Sequence, residues 1–99
     1  MKFRINPLVV KDLKEICDYI ADANVEKAAE TIERIYNKFE NIQLFPRMGA
    51  ELFKRVSFRT NYKYAIWNDY VVIYKIGKDF VEIYRVVNRK ITRKIPKIS

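Results

Sequence analysis

The spacing of apolar residues divides the chain into a helical first half and a stranded second half. In residues 7–21 and 25–44 they recur every three or four positions, the period of a helix with one buried face. Val, Ile, Tyr, Phe and Trp then dominate residues 62–67, 70–76 and 80–87, a composition typical of β-strands. Short spacers of hairpin composition separate these segments, so we predict an antiparallel meander of three strands.

Capping residues mark the ends of both predicted helices. Asn6 followed by Pro7 is typical of an N-cap with proline in the first helical turn, and Asp22 or Asn24 can cap the second helix. Pro46 ends the second helix because proline disfavours a helical conformation in the residue before it. The connection between the helices is so short that we expect them to lie antiparallel.

Each predicted helix has an apolar side and a polar side. In the first helix the apolar side comprises Val9, Leu13, Ile16 and Ile20, with Val10 and Cys17 next to them, while Lys11, Asp12, Lys14, Glu15 and Asp18 fall mostly on the solvent side. In the second helix it comprises Val25, Ala28, Ala29, Ile32, Ile35, Tyr36, Phe39 and Ile42. We expect Cys17 to be a small buried apolar side chain and not a reactive thiol.

The segment at residues 70–76 is apolar almost without alternation, which favours a central strand covered on at least part of both faces. We expect the helix hairpin to cover one face and a short strand at residues 2–5 to join the sheet edge. The predicted fold is α+β, in the order β-α-α-β-β-β, with the hairpin packed on a three- to four-stranded, mainly antiparallel sheet. Residues 1–99 are expected to form a single domain.

Composition excludes several kinds of site. The chain has no histidine, which rules out imidazole catalysis and histidine-ligated zinc, and one cysteine, which rules out an intramolecular disulfide and a cysteine-based zinc cluster. Its two glycines stand apart, so there is no glycine-rich phosphate loop. No apolar run approaches the roughly 20 residues of a membrane span. We therefore expect a cytoplasmic protein without metal, cofactor or membrane contact.

Positive charge is concentrated in the second half of the chain. Residues 1–45 hold 7 Lys/Arg and 8 Asp/Glu, whereas residues 46–99 hold 13 Lys/Arg and 4 Asp/Glu, so the net +8 comes from the sheet half. Such a field attracts an anionic partner, and the alternative is a solvated face that keeps the protein soluble. The candidate binding residues for a target or a nucleic acid are Arg59, Lys63, Arg85, Arg89, Lys90, Arg93 and Lys94.

Arg85 stands out because it lies among apolar residues of the last strand. Simple alternation puts Val81, Ile83, Arg85 and Val87 on one face and Glu82, Tyr84 and Val86 on the other. A guanidinium in such surroundings requires an anionic partner, which is either an external ligand or a helix acid in a salt bridge.

Several segments together resemble the RelE/ParE family of toxins from bacterial toxin–antitoxin systems. The resemblance covers nearly the whole chain and is carried by Asp12-Leu13, Glu15-Ile16, Tyr19-Ile20-Ala21, Ala28-Ala29, Ile32, Ile35, Leu44-Phe45-Pro46, Gly49, Tyr70-Val71-Val72-Ile73-Tyr74 and Ile83-Tyr84-Arg85-Val86-Val87. It implies the same helix hairpin on an antiparallel sheet. It also implies a cognate antitoxin that binds and silences this chain in a hetero-oligomer.

The resemblance implies one of two activities. ParE-like members bind and poison DNA gyrase, whereas RelE-like members cleave mRNA in the ribosomal A site with basic residues and a tyrosine or histidine. For a nuclease the implied catalytic residues are Arg85, Arg89 and Tyr84, but Asn88-Arg89-Lys90 stands where many relatives place a histidine. The alanine-bearing helix hairpin favours the ParE branch. A third hypothesis is an inactive relative that serves only as a basic binding module.

The basic sheet and the groove beside the helices lead us to expect an antitoxin segment with acidic and apolar residues. Strand addition at a sheet edge is one way for such a segment to bind.

Overall fold

The computed structural model describes residues 2–54 and 60–89. Two α-helices, α1 and α2, precede most of the sheet. The elements in chain order are β1 (Lys2–Ile5), α1 (Pro7–Ala21), α2 (Val25–Leu44), a 3₁₀ turn (Pro46–Met48), β2 (Ala50–Glu51), a second 3₁₀ turn (Leu52–Lys54), β3 (Lys63–Trp67), β4 (Tyr70–Ile76) and β5 (Phe80–Asn88).

The predicted capping residues begin both helices. The Asn6 side chain accepts a hydrogen bond from the Leu8 N–H at 2.9 Å, and the Asn24 side chain accepts one from the Lys27 N–H at 2.9 Å. Each bond satisfies a backbone donor that has no partner within its own helix. Asn24, and not Asp22, is therefore the cap of α2.

The five strands form one sheet in the order β1-β5-β4-β3-β2. β1 pairs in parallel with β5, and the other neighbours pair antiparallel. The predicted α+β fold and the edge position of β1 are confirmed. The predicted sheet of three to four strands is too small, because it lacked β2. This strand has two residues, too few to give an alternating pattern. β3 begins one residue later than predicted and β5 ends one residue later.

Two apolar clusters cover the two faces of β4. The first joins Val9, Leu13, Ile35, Phe39 and Ile42 of the helices to Tyr70, Val72, Tyr74, Val81, Ile83 and Val86 of the sheet. The second, on the opposite face, consists of Leu52, Tyr64, Val71, Ile73 and Val87. These contacts confirm the helix hairpin as a cover and β4 as a central strand covered on both faces.

The apolar side of each helix is narrower than predicted. Val10, Val25, Ala29 and Tyr36 are exposed, because neither the sheet nor the other helix covers their side chains. Asp12 differs in the opposite sense: it is buried, and its predicted place on the solvent side is wrong. It lies three residues after Val9 and directly before Leu13, at the border of the apolar side that faces β5. Cys17 is only half-buried.

A β-bulge in β5 changes which side chains face the helices. Ile73 of β4 pairs with Arg85 while the next residue, Tyr74, pairs with Ile83, so Tyr84 is an extra residue in β5. Val86 therefore joins Ile83 in the helix-side cluster, and Val87 lies in the cluster on the other face. The simple alternation predicted for this strand is wrong from the bulge onwards.

Over the described ranges, neither helix combines the length and the apolar composition that crossing a bilayer requires.

Candidate functional site

Arg85 forms a bidentate ion pair with the buried carboxylate of Asp12. Its Nε donates to Asp12 Oδ2 at 2.8 Å and its Nη2 donates to Asp12 Oδ1 at 2.9 Å. Asp12 Oδ2 also accepts a hydrogen bond from the Val86 N–H at 3.0 Å. The hydrogen bond to Asp12 raises the pKa of Arg85 against the opposing effect of burial. The helix acid is thus the anionic partner of Arg85 in the free protein.

Arg85 lies at a β-bulge, and from there its guanidinium reaches the carboxylate of Asp12 on α1. Two residues of β5 face one residue of β4 there, which bends the strand and redirects its side chains. Asp12 was not among the sequence candidates. The sequence signal that could have identified Asp12 is its position beside the apolar side of α1, next to Leu13 and one turn after Val9.

The other described candidates lie apart from this pair. Lys63 is half-buried at the start of β3, where its Nζ lies 3.7 Å from Glu51 Oε1. Arg89 is exposed just after β5, and its backbone N–H donates to the Asp69 carbonyl in the β3–β4 turn at 2.8 Å. Lys63 pairs with Tyr74 whereas Asn88, next to Arg89, pairs with Tyr70. The structure therefore puts Lys63 and Arg89 at opposite ends of the meander.

The remaining four basic candidates, Arg59, Lys90, Arg93 and Lys94, lie outside the described residues. Their assignment to a target or nucleic-acid site stays a prediction, as does that of Lys63, Arg85 and Arg89.

Two tyrosines and a lysine form an aromatic and basic group on the sheet face opposite the helices. The ring centroids of Tyr62 and Tyr84 are 5.0 Å apart, and Lys75 Nζ lies 5.8 Å from the Tyr62 centroid. Desolvation, followed by the nearby Tyr84 and Glu82, raises the pKa of Tyr62. A raised pKa keeps the Tyr62 hydroxyl protonated, so this hydroxyl is suited to donating a hydrogen bond and not to acting as a base. Sequence analysis singled out Tyr84 but not Lys75.

The Tyr74 hydroxyl joins β4 to the turn that follows α2. It donates to the Pro46 carbonyl at 2.6 Å and accepts from the Gly49 N–H at 3.0 Å. A Cβ atom added at Gly49 would overlap this hydroxyl and lie 2.8 Å from Tyr74 Cζ, so only glycine allows the approach. Burial raises the pKa of Tyr74. We call this arrangement the tyrosine latch, and it fixes the 3₁₀ turn Pro46–Met48 against the sheet.

An apolar cleft lies between the tyrosine latch, the end of α2 and the outer edge of β3. It has a volume of about 310 Å³, and its lining includes Lys38, Ile42, Phe45, Met48, Ala65 and Ile66. Phe45, Met48 and Ile66, together with the neighbouring Leu44, are exposed large apolar side chains. The sequence led us to expect a groove beside the helices, but the residues that line this cleft were not predicted, because they come from three elements that are distant in sequence.

Comparison with known protein families finds a match over most of the chain. Residues 3–92 match the family described as "ParE toxin of type II toxin-antitoxin system, parDE". The chain belongs to the ParE toxin family. A ParE-family chain is the toxin component of a type II toxin–antitoxin system, and this match confirms the resemblance found in the sequence and its ParE branch.

A solved structure supports the same architecture for this ParE-family chain. It is described as "Chromosomal ParDE TA system from P. aeruginosa", with a TM-score of 0.74 and 19% sequence identity. The superposition covers 89% of this chain and 95% of that chain. At this identity the likeness shows a shared fold. No curated protein matches the sequence.

Proposed function

We propose that this ParE-family toxin acts by binding DNA gyrase and that its cognate antitoxin holds it inactive by binding to it. The observation that carries the proposal is the family match over residues 3–92, which spans both helices and the described strands except Lys2. A binding poison needs a complementary surface and no reacting group. The positive charge of residues 46–99 supports such a surface for an anionic target.

The chemistry of the described residues supports binding over RNA cleavage. No histidine exists to act as general base, and the Arg85 guanidinium is already paired with Asp12. The buried or stacked tyrosines Tyr62, Tyr70 and Tyr74 have raised pKa values, which disfavours a phenolate base near neutral pH. A nuclease would depend on Tyr84 with Arg89, in an arrangement that requires Arg85 to leave Asp12.

Electrostatic attraction provides the physical basis for target binding. The positive excess lies in residues 46–99, which hold 13 Lys/Arg against 4 Asp/Glu, and the DNA on which gyrase acts is anionic. We assign Arg89, exposed at the end of β5, to this contact together with the basic residues that follow it in the sequence. Inhibition should therefore weaken as ionic strength rises.

A supercoiling assay tests the proposal. The purified chain at micromolar excess is expected to inhibit gyrase or to increase cleaved DNA, and Arg89→Glu is expected to weaken this effect. Lys11→Glu is the matched control, because it makes the same charge change at an exposed position on α1 that lies outside the candidate set. Equal inhibition by both variants would contradict the role of Arg89.

No effect of the wild-type chain on gyrase would refute the gyrase assignment. Cleavage of mRNA in the A site of translating ribosomes, abolished by Arg85→Ala or Arg89→Ala, would instead identify a RelE-like nuclease. Growth unaffected by expression without the antitoxin would indicate a relative that has lost its activity.

A further inference from the structure

Three aromatic residues lie at the end of the molecule that carries Arg89. We propose that this aromatic end, which consists of Tyr19, Trp67 and Tyr70, docks on the protein surface of gyrase beside the DNA that Arg89 contacts. Tyr19 and Trp67 are its apolar anchors. The inference rests on the proposed function, because it takes gyrase as the target and names the part of the toxin that meets the gyrase protein.

The packing of α1 on β5 puts Tyr19 where β5 ends. The backbone N–H just before α1 donates to the Ile83 carbonyl at 2.9 Å, and the Asp12 carboxylate accepts from the Val86 N–H at 3.0 Å, so the two elements advance in the same direction. From Asp12 to Tyr19 the helix rises by about 10 Å, and three strand residues after Val86 span about the same length. Tyr19 is therefore level with Arg89.

The β3–β4 turn brings the other two aromatic residues to the same end. Tyr70 pairs with Asn88, the residue before Arg89. The rings of Trp67 and Tyr70 are stacked, with centroids 6.1 Å apart and planes inclined by 13°. Burial raises the pKa of Tyr70, and the nearby Tyr19 contributes in the same direction. The end of α1 and the turn thus meet at this end of the sheet.

Two of the three rings are accessible, and their support is rigid. Tyr19 is 70% exposed and Trp67 is half-buried, whereas Tyr70 is 7% exposed and holds the Trp67 ring by stacking. The 2.8 Å hydrogen bond from the Arg89 N–H to the Asp69 carbonyl fixes the turn. Tyr, Trp and Arg are the residue types that contribute most often to the binding energy of protein interfaces. A surface that is already ordered also loses little conformational entropy on binding.

Acidic residues next to Tyr19 decide what kind of surface it meets. Glu15 and Asp22 are exposed, and they lie four residues before and three residues after Tyr19, which places them on its side of the helix. Their carboxylates repel DNA phosphates and attract Lys and Arg side chains. A protein that holds DNA is cationic around the DNA, because it neutralises phosphates. The aromatic end complements such a protein surface, and Arg89 complements the DNA beside it.

Binding to gyrase in the absence of DNA tests the protein contact. The full chain is titrated into purified gyrase, and Tyr19→Ala is expected to weaken the affinity by about tenfold or more. Val10→Ala is the matched control, because Val10 is 62% exposed on the same helix and lies about half a turn around the helix axis from Tyr19. Its affinity should equal that of the wild type. Both side chains are largely exposed, so both variants should keep the wild-type Tm.

A pair of charge reversals tests the electrostatic part. Asp22→Lys should weaken the affinity for DNA-free gyrase by about fivefold or more, since it removes an attraction to a cationic surface and adds a repulsion. Glu40→Lys makes the same charge change at an exposed position near the far end of α2 and should have no effect. Equal affinities of these two variants would refute the charge argument.

Hydroxyl-radical footprinting tests the contact without any substitution. Tyr19 would pass from 70% exposed to buried, so its oxidation rate should fall by about fivefold or more in the complex with gyrase. Tyr36 is the control, because it is 40% exposed on α2 and lies outside the aromatic end. Its oxidation rate should stay unchanged.

The outcomes separate this inference from the proposed function. If the wild type inhibits gyrase but Tyr19→Ala and Val10→Ala bind it equally, or if Tyr19 stays unprotected, the docking surface is refuted and the gyrase assignment stands. Inhibition without affinity for DNA-free gyrase would likewise refute the protein contact. A wild-type chain that neither binds nor inhibits gyrase would refute both. If Tyr19→Ala instead loses affinity only for a DNA duplex alone, or only for the antitoxin, the aromatic end belongs to that partner and not to the gyrase protein.

Discussion

Replacing Asp12 by alanine is the most informative test of how this fold is stabilised. The carboxylate accepts hydrogen bonds from Arg85 Nε, Arg85 Nη2 and the Val86 N–H, and its side chain is 7% exposed. The substitution leaves a cation without its partner and a buried N–H without an acceptor. Breaking a buried ion pair from one side costs about 3–5 kcal/mol. The Arg85 side chain is 27% exposed, so water can partly solvate it, and we expect about 3 kcal/mol, the lower end of that range.

That loss is large for a chain of this size. A domain of 99 residues typically has a free energy of unfolding of about 5–15 kcal/mol. At about 4–8 °C per kcal/mol, Asp12→Ala should lower the Tm by roughly 12–24 °C. Thermal unfolding followed by circular dichroism at neutral pH measures this shift directly.

Asp18→Ala on the same helix provides the control. Asp18 pairs with Lys14 at 2.9 Å, but both side chains are exposed, so its loss should leave the Tm within experimental scatter. Asp12→Asn, which keeps an acceptor but removes the charge, should fall between the two. If Asp12→Ala and Asp18→Ala melt together, the Asp12–Arg85 pair does not stabilise the fold as argued here.

Three further predictions concern the tyrosine latch and the start of α2. Gly49→Ala should destabilise the chain by about 1–3 kcal/mol in urea unfolding, because its Cβ would displace the Tyr74 hydroxyl and leave buried polar groups unpaired. An unchanged urea midpoint would show that the turn can move away without loss. The raised pKa of Tyr74 means that its contribution is complete below the ordinary value of 10.0 and lost as pH rises through the folded value. Tyr74→Phe should therefore be less stable than the wild type at neutral pH, and the difference in Tm should shrink under alkaline conditions; a constant difference would contradict this. Asn24→Ala should cost about 1 kcal/mol by removing the cap of α2, whereas Asn24→Asp should retain most of the stability; equal Tm values for the two would argue against the cap.

The parts of the fold that depend on neighbouring residues could be predicted from the sequence. Both helices have a clear period and local caps at Asn6 and Asn24, and the meander strands have the composition and spacers of hairpins. β2 could not be found this way. Its two residues are held by pairing with β3 and by the turn that Tyr74 fixes, and neither interaction leaves a periodic signal.

The candidate site shows the same division between local and distant information. The composition correctly marked Arg85 as a cation that needs an anion, but Asp12 is 73 positions away in the chain, and no local pattern reveals that the two residues meet. The cleft is harder still, because Ile42, Met48 and Ile66 give no sign in the sequence that they border one space.

The parallel pairing of β1 with β5 has a consequence for how this toxin is made. Lys2 pairs with Phe80 and Ile5 with Ile83, so among the described strands β1 lacks its pairing partner until residues 80–83 have left the ribosome. Contacts between residues so distant in sequence form slowly, since a long loop must close before they contribute. During synthesis the apolar side of the helix hairpin stays uncovered until the sheet has formed. A newly made chain thus passes through a period in which its sheet is incomplete and this apolar side can bind other apolar surfaces.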